Sequence, residues 1–313
     1  MCGKKMVSKM QKWKKLGLIF RPLENKNSFS HCQHPTPLKL SNSIYRIFYG
    51  SRNVNNLTQV FYFDFNIDSF KILSYSKNPI LKLGDTGFFD QHGIYPSSII
   101  EDRGKALLYT IGFTQGCRPL YYTRIGLAIS IDKELELKKY SIAPIINISE
   151  YDPCTVTGPF VLKENGQYRM WYVSGYKWDE DQDGSLQSFY NIKYAESKDG
   201  IEWKRNGLIS IAHAYPEETN IARPWILKEK DIYKAWFSYN CGKEGYRIGY
   251  AESRDGGYVF ERMDHLVGLT VSEEPWENEA ICYPAVIIHN DKKYMFYNGN
   301  KFGKDGIALA VED

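Results

Sequence analysis

Five short segments each lead into a proline and carry most of the side chains able to do chemistry: SFSHCQHPTP (28–37), FFDQHGIYP (88–96), EYDPCTVTGP (150–159), EETNIARP (217–224) and ENEAICYP (277–284). Four of them hold carboxylates: Asp90; Glu150 and Asp152; Glu217 and Glu218; Glu277 and Glu279. The first holds His31 and His34 instead, while His92 and Arg223 add titratable or cationic groups. Phe88, Phe89, Tyr95, Trp276 and Tyr283 supply aromatic faces. Carboxylates gathered in an aromatic-lined hollow suit glycosidic bond chemistry, in which one acid gives a proton to the leaving oxygen and another acts ionised. Close carboxylates in a partly dry pocket push their pKa values apart, which supplies both states at one pH. Any single one of these acids also serves as a turn or backbone acceptor.

These segments meet only if the chain repeats. Prolines open apolar runs at Pro37, Pro96, Pro159, Pro224 and Pro284, about 60 residues apart, a period typical of supersecondary repeats. An aromatic run follows each: YRIFYG from Tyr45, ALLYTIG from Ala106, YRMWYVSG from Tyr168, YKAWFSYN from Tyr233 and YMFYNGN from Tyr294. Such β-branched and aromatic runs ended by Gly, Ser or Asn read as strands. A third element carries Ala128, Ala195, Ala251 and Ala310 at equivalent points, and its text is nearly duplicated in YNIKYAESKDG (190–200) and YRIGYAESRDG (246–256). Fourth strands are expected at 201–205 and 258–262. Five four-stranded units predict an all-β, five-bladed β-propeller with each proline at the first residue of its strand. The last unit stops at Asp313 one strand short, so a strand over 15–22 is expected to complete it and close the ring. Residues 15–313 then form one domain behind a basic leader, 1–14. Asp199 and Asp255 read as turn residues, and Trp171 and Trp236 as core.

The bulk properties exclude several classes. A net charge of +3 is too small to imply a nucleic-acid partner. The basic stretch at 4–15 reads as a solvated leader, with weak peripheral contact to an anionic membrane surface as its other use. The longest apolar run near the N-terminus is LGLIF, too short for a signal-peptide core, and no run approaches the 18 or so residues of a transmembrane helix. Six scattered cysteines without a secretory signal read as reduced thiols, which suits a cytoplasmic protein. The HCQH at 31–34 lacks the spacing of a zinc site, so no metal is expected.

The five-fold pattern, YAESKDGIEWKR and the terminal MFYNGNKFGKDGIALA resemble the five-bladed propeller glycosidases, glycoside hydrolase families 43, 32, 62 and 68, and the family 130 mannoside phosphorylases, from about Pro22 to the end. The resemblance implies an enzyme that cleaves or transfers a glycosyl unit. It does not carry the catalytic residues: family 43 places acids one or two residues before the blade prolines, where this chain has Thr36, Tyr95, Gly158, Arg223 and Tyr283, or Pro35, Ile94, Thr157, Ala222 and Cys282. Nor is there an Asn-Asp-Pro-Asn or Arg-Asp-Pro motif; Asp152-Pro153 is a fragment. The acids lie farther upstream, so Asp90, Glu218, Glu279 and Asp152 are the expected catalytic residues. The expected substrate holders are His34, His92, Arg223, Arg52, Arg118, Tyr95, Trp276 and Tyr283, the arginines suiting a carboxylate or phosphate. The expected substrate is a small glycoside or activated sugar of surface-polysaccharide metabolism. No cofactor is required, and although some family 43 members hold channel calcium, no oxygen-rich loop argues for it here. The alternatives are a non-catalytic sugar-binding propeller and a protein-interaction scaffold.

Overall fold

The computed structural model describes residues 9–131, 135–241 and 244–313. Twenty strands make up almost all of its regular structure. They fall into five antiparallel groups of four. The first is β2 (Ser30–Lys39), β3 (Ile44–Arg52), β4 (Thr58–Asn66) and β5 (Lys71–Tyr75). The second is β6 (Gly93–Asp102), β7 (Lys105–Gln115), β8 (Tyr121–Ser130) and β9 (Leu137–Lys139). The third is β10 (Thr155–Glu164), β11 (Gln167–Glu180), β12 (Leu186–Ser197) and β13 (Lys204–Ile211). The fourth is β14 (Glu218–Glu229), β15 (Ile232–Cys241), β16 (Arg247–Ser253) and β17 (Glu261–Arg262). The fifth is β18 (Cys282–His289), β19 (Lys292–Asn298) and β20 (Ile307–Glu312), with β1 (Trp13–Phe20) from the other end of the chain paired antiparallel to β20. The strand expected over 15–22 is therefore this β1, two residues earlier. Fourth strands begin at Lys204 and Glu261, later than expected, because Asp-Gly turns occupy the preceding residues.

The second strand of each group is apolar on both faces because the sheets stack on one another. Phe48, Tyr109, Trp171, Trp236 and Phe296 occupy equivalent positions there, and all are buried, so Trp171 and Trp236 are core. Ala128, Ala195, Ala251 and Ala310 face Leu108, Met170, Ala235 and Met295 across the next pairing. In the first group Phe63 takes the alanine position and stacks on Phe20 of β1, centroids 4.2 Å apart, so the fifth group packs on the first. The first strands lie side by side in the order β2, β6, β10, β14, β18 and back to β2.

The duplicated phrase ends in a turn that clasps neighbouring groups. The Asp199 carboxylate accepts from the Ile201 and Glu202 amides at 2.9 Å, and Gly200 adopts φ 79°, a left-handed value that favours glycine. Tyr109 of the preceding group donates to the Gly200 carbonyl at 3.0 Å. One group on, Trp171 donates to the Gly257 carbonyl at 2.8 Å, and Asp255 holds the Tyr258 amide at 3.0 Å.

Residues 1–8 of the expected leader lie outside the described residues. Beyond them the chain is built in: the Gln11 side chain accepts from Trp236 Nε1 at 3.0 Å, and Lys15 pairs with Glu277 at 2.7 Å. The five described cysteines are unpaired. Among the described residues no helix is long and apolar enough to cross a membrane, and no group of three or more His, Cys, Asp and Glu side chains could hold a metal ion.

Candidate functional site

The prolines sit inside the first strands, not at their starts. In four groups a two-residue β-bulge interrupts the pairing, between Gln33 and Thr36, Thr157 and Phe160, Ala222 and Trp225, and Cys282 and Ala285. Proline is tolerated there because a bulged residue gives no ladder donor. In the first group the equivalent proline is thus Pro35, not Pro37. The residue before it is His34, Gly158, Arg223 or Tyr283, with φ 59°, 53°, 51° and 56°. For the three non-glycine residues this backbone costs on the order of 1–3 kcal/mol each, and such strain gathers at functional sites. It is offset in part by local bonds: Asn298 Oδ1 accepts the His34 amide at 3.1 Å and Ser238 Oγ the Tyr283 amide at 2.8 Å.

These bulges aim side chains into a cavity of about 240 Å³ to which all five groups contribute. The first group gives Gln33, His34 and Arg52; the second Tyr95, Phe113, Tyr121 and Thr123; the third Thr157, Gly158 and Tyr190; the fourth Ala222, Arg223 and Tyr246; the fifth Tyr283 and Phe302. Seven of the rings form a continuous belt. Tyr121 stacks on Phe113 at 5.7 Å, Phe113 meets Tyr95 at 6.5 Å, and Tyr95 meets His34 at 5.4 Å. His34 packs on Tyr283 at 4.0 Å, Tyr283 on Phe302 at 6.2 Å, and Phe302 on Tyr246 at 5.9 Å. Burial pushes the Tyr121 phenol up to about 12 and raises Tyr246 and Tyr283 further, so all three stay neutral at pH 7. Burial, with Arg223 nearby, holds the His34 pKa well below the usual histidine range, so this ring is neutral too.

The structure brings together the expected substrate holders His34, Arg52, Tyr95, Arg223 and Tyr283. It separates them from the others. Arg118 is exposed and paired with Glu180. His92 lies outside the cavity and accepts the Gln115 amide at 3.0 Å through Nδ1. Trp276 packs beside Tyr297 at 6.0 Å, under the fifth group.

None of the carboxylates expected to be catalytic lines this cavity. Asp90 is buried against Lys139, with 2.5 Å between Oδ2 and Nζ. Asp152 is fully buried, 2.7 Å from Arg205 and 3.7 Å from Lys193, and accepts from the Tyr172 hydroxyl at 3.1 Å. Glu218 accepts from Arg262 Nη1 at 2.7 Å on both oxygens and from the Ala214 amide at 2.8 Å. Glu277 is buried between Lys15 and the Tyr297 hydroxyl, at 2.7 and 2.8 Å. Glu279 is exposed and lines an adjoining hollow of about 390 Å³ that shares Tyr246 and Phe302 with the main cavity. The acids upstream of the prolines therefore do not converge. Apart from exposed Glu279, those named here are held by cations and donors of their own groups or neighbouring loops.

The pocket residues not foreseen are chiefly Gln33, Phe113, Tyr121, Tyr190, Tyr246 and Phe302. One signal was present: Tyr190 and Tyr246 are the first letters of the two copies of the duplicated phrase, and both face the cavity.

Comparison with known proteins places this geometry. No protein-family model matches the chain. It is 32% identical over 302 residues to the uncharacterized protein Rv1502 of Mycobacterium tuberculosis, covering 96% of this chain and 98% of that protein. Among solved structures, a glycosyl hydrolase from Bacteroides ovatus superposes with a TM-score of 0.70 at 12% identity, covering 97% of this chain and 94% of the other. Zg3597, a family 117 glycoside hydrolase of the marine bacterium Zobellia galactanivorans, gives 0.68 at 15% identity, over 97% and 91%. A thermostable family 43 glycoside hydrolase gives 0.63 at 14% identity, over 94% and 92%. The structural neighbours are glycoside hydrolases of the five-bladed β-propeller type, family 32 also among them.

Proposed function

This chain belongs to the family of the mycobacterial protein Rv1502, and we propose that it is a carbohydrate-recognising propeller whose cavity binds a sugar without a catalytic carboxylate pair. The observation that carries this reading is the cavity lining: among the described residues, a belt of seven rings, two arginines and no acid. Aromatic faces pack on the apolar faces of sugar rings while phenol and amide groups meet hydroxyls. Its volume of about 240 Å³ lies below the roughly 300–1,000 Å³ of common small-molecule sites, which fits one sugar residue or the end of a chain. The cavity then lies on the axis of a closed five-bladed ring. The circular order of the first strands, the β1–β20 pairing and the Phe20–Phe63 stack support that closure.

A second reading keeps the glycosyl-cleaving or -transferring activity suggested by the neighbours' fold. It is favoured by Glu279, an exposed carboxylate in the hollow beside the cavity. It lacks, among the described lining residues, a partner acid at the separation of about 5–10 Å that glycoside hydrolysis uses.

A mass-spectrometric time course over small glycosides, glycosyl phosphates and nucleotide sugars separates the two, run beside thermal melts with the same compounds. Stabilisation without turnover supports the binding reading. Turnover by the wild type that Glu279→Gln loses overturns it in favour of an enzyme.

A further inference from the structure

The cavity carries a charge that a neutral sugar does not answer. Arg223 is 1% exposed. Its Nη2 donates to the Pro35 carbonyl at 2.8 Å and to Thr36 Oγ1 at 3.1 Å, tying β14 to β2 across the cavity. Its Nε and Nη1 have no hydrogen-bond partner among the described residues, and neither has His34 Nδ1. The guanidinium lies 5.9 Å from the centre of the Trp225 ring, and no described carboxylate pairs with it. Burying a cation without a counter-charge is strongly unfavourable, and leaving its N–H groups without acceptors adds to that. Among the described residues the Arg52 side chain, at the rim of the same cavity, bonds neutral groups, Gln33 at 3.3 Å and Asn56 at 3.2 Å. Two guanidiniums thus face one hollow that no described acid lines. The backbone strain at Arg223 points the same way, because a glycine is accepted at the equivalent Gly158.

We propose that the cavity takes an acidic sugar, its oxyanion held by the free N–H groups of Arg223 with Arg52 closing over it from the rim. The oxyanion is the carboxylate of a sugar acid or the phosphate of a sugar phosphate, since a planar guanidinium serves either through paired hydrogen bonds. This rests on reading the cavity as a sugar site.

The test is calorimetric titration of the full chain at constant ionic strength. Glucose, galactose and mannose are each run beside their uronate and their phosphate monoester, with acetate and inorganic phosphate as bare anions. At least one acidic sugar should bind roughly tenfold or more tighter than its neutral parent, as a charge-assisted pair would give. The arm that shows the gain identifies carboxylate or phosphate. Arg223→Met should erase the gap. Should that variant not fold, Arg52→Gln, at the half-buried rim, should narrow it. Equal affinity for acidic and neutral partners overturns the charge inference and leaves the sugar site standing. Binding of bare anions with no sugar bound overturns the sugar reading and retains the anion site. Binding of nothing overturns both.

Discussion

Replacing Glu218 by glutamine tests whether the upstream acids are structural. Glu218 is 2% exposed, and both its oxygens receive Arg262 Nη1 at 2.7 Å. Arg262 is itself enclosed by the rings of Tyr215, Phe237 and Tyr239 at 5.5, 5.0 and 5.0 Å, and it keeps Asp264 at 2.6 Å. Glutamine preserves the volume and one acceptor, so no cavity forms. What is lost is the charge-assisted part of the bond, about 1.5–3 kcal/mol. Removing a buried ion's sole partner costs about 3–5 kcal/mol, and the surviving Asp264 pair puts this case below that range. We expect about 2 kcal/mol of destabilisation. At roughly 2 °C per kcal/mol for a chain this large, the Tm falls about 4 °C. Sugar affinity should stay within about twofold, a change worth only about 0.4 kcal/mol. The assay is paired calorimetric unfolding and ligand titration of both proteins. An unchanged Tm together with lost ligand binding or turnover would refute the structural assignment and restore Glu218 to the site.

Other outcomes follow from the same geometry. Asp152→Asn should destabilise by about 3–5 kcal/mol, because it leaves Arg205 and Lys193 without their buried carboxylate, and denaturant melts read this directly. Phe20→Ala removes the ring stacked on Phe63 where the fifth group meets the first; it should cost about 3–5 kcal/mol, measured by chemical unfolding. Glu279→Gln, at an exposed position, should change stability by less than about 0.5 kcal/mol. Stability should also fall as the pH drops from about 6.5 toward 4, because burial holds His31, near Arg52 and Lys304, down to about 4 and depresses His34 and His213 as well. Their native pKa values lie below the unfolded value, so unfolding takes up protons in that window; the contribution is complete above 6.5 and lost below the native pKa. Melts at pH 7 and pH 5 should differ, and His31→Gln should shrink the difference.

The repeat was legible because strand chemistry is local. Aromatic second strands, small third-strand alanines and Asp-Gly turns each follow from nearest neighbours in the chain, and the missing strand of the last group was implied by counting. The site was half legible for the same reason. His34, Arg223 and Tyr283 flank prolines, and the bulges at those prolines turn them inward. The partners of the upstream acids were not legible because they are distant in the chain: Arg262 lies 44 residues from Glu218, and Lys15 lies 262 from Glu277. No local pattern reveals such pairs. Tyr190 and Tyr246 open the two copies of the duplicated phrase, but a strand's phase does not say which residue overhangs a cavity. Pro35 and Pro37 stand two residues apart and look alike in the sequence; only the bulge between Gln33 and Thr36 distinguishes them.

The most direct measurement is saturation-transfer NMR of the wild type, Tyr246→Ala and Tyr283→Ala against a mixture of neutral and acidic monosaccharides. The account predicts transfer to at least one sugar in the wild type and its loss in both variants, with folding retained by circular dichroism. Transfer that persists in both variants would place the sugar elsewhere and contradict it.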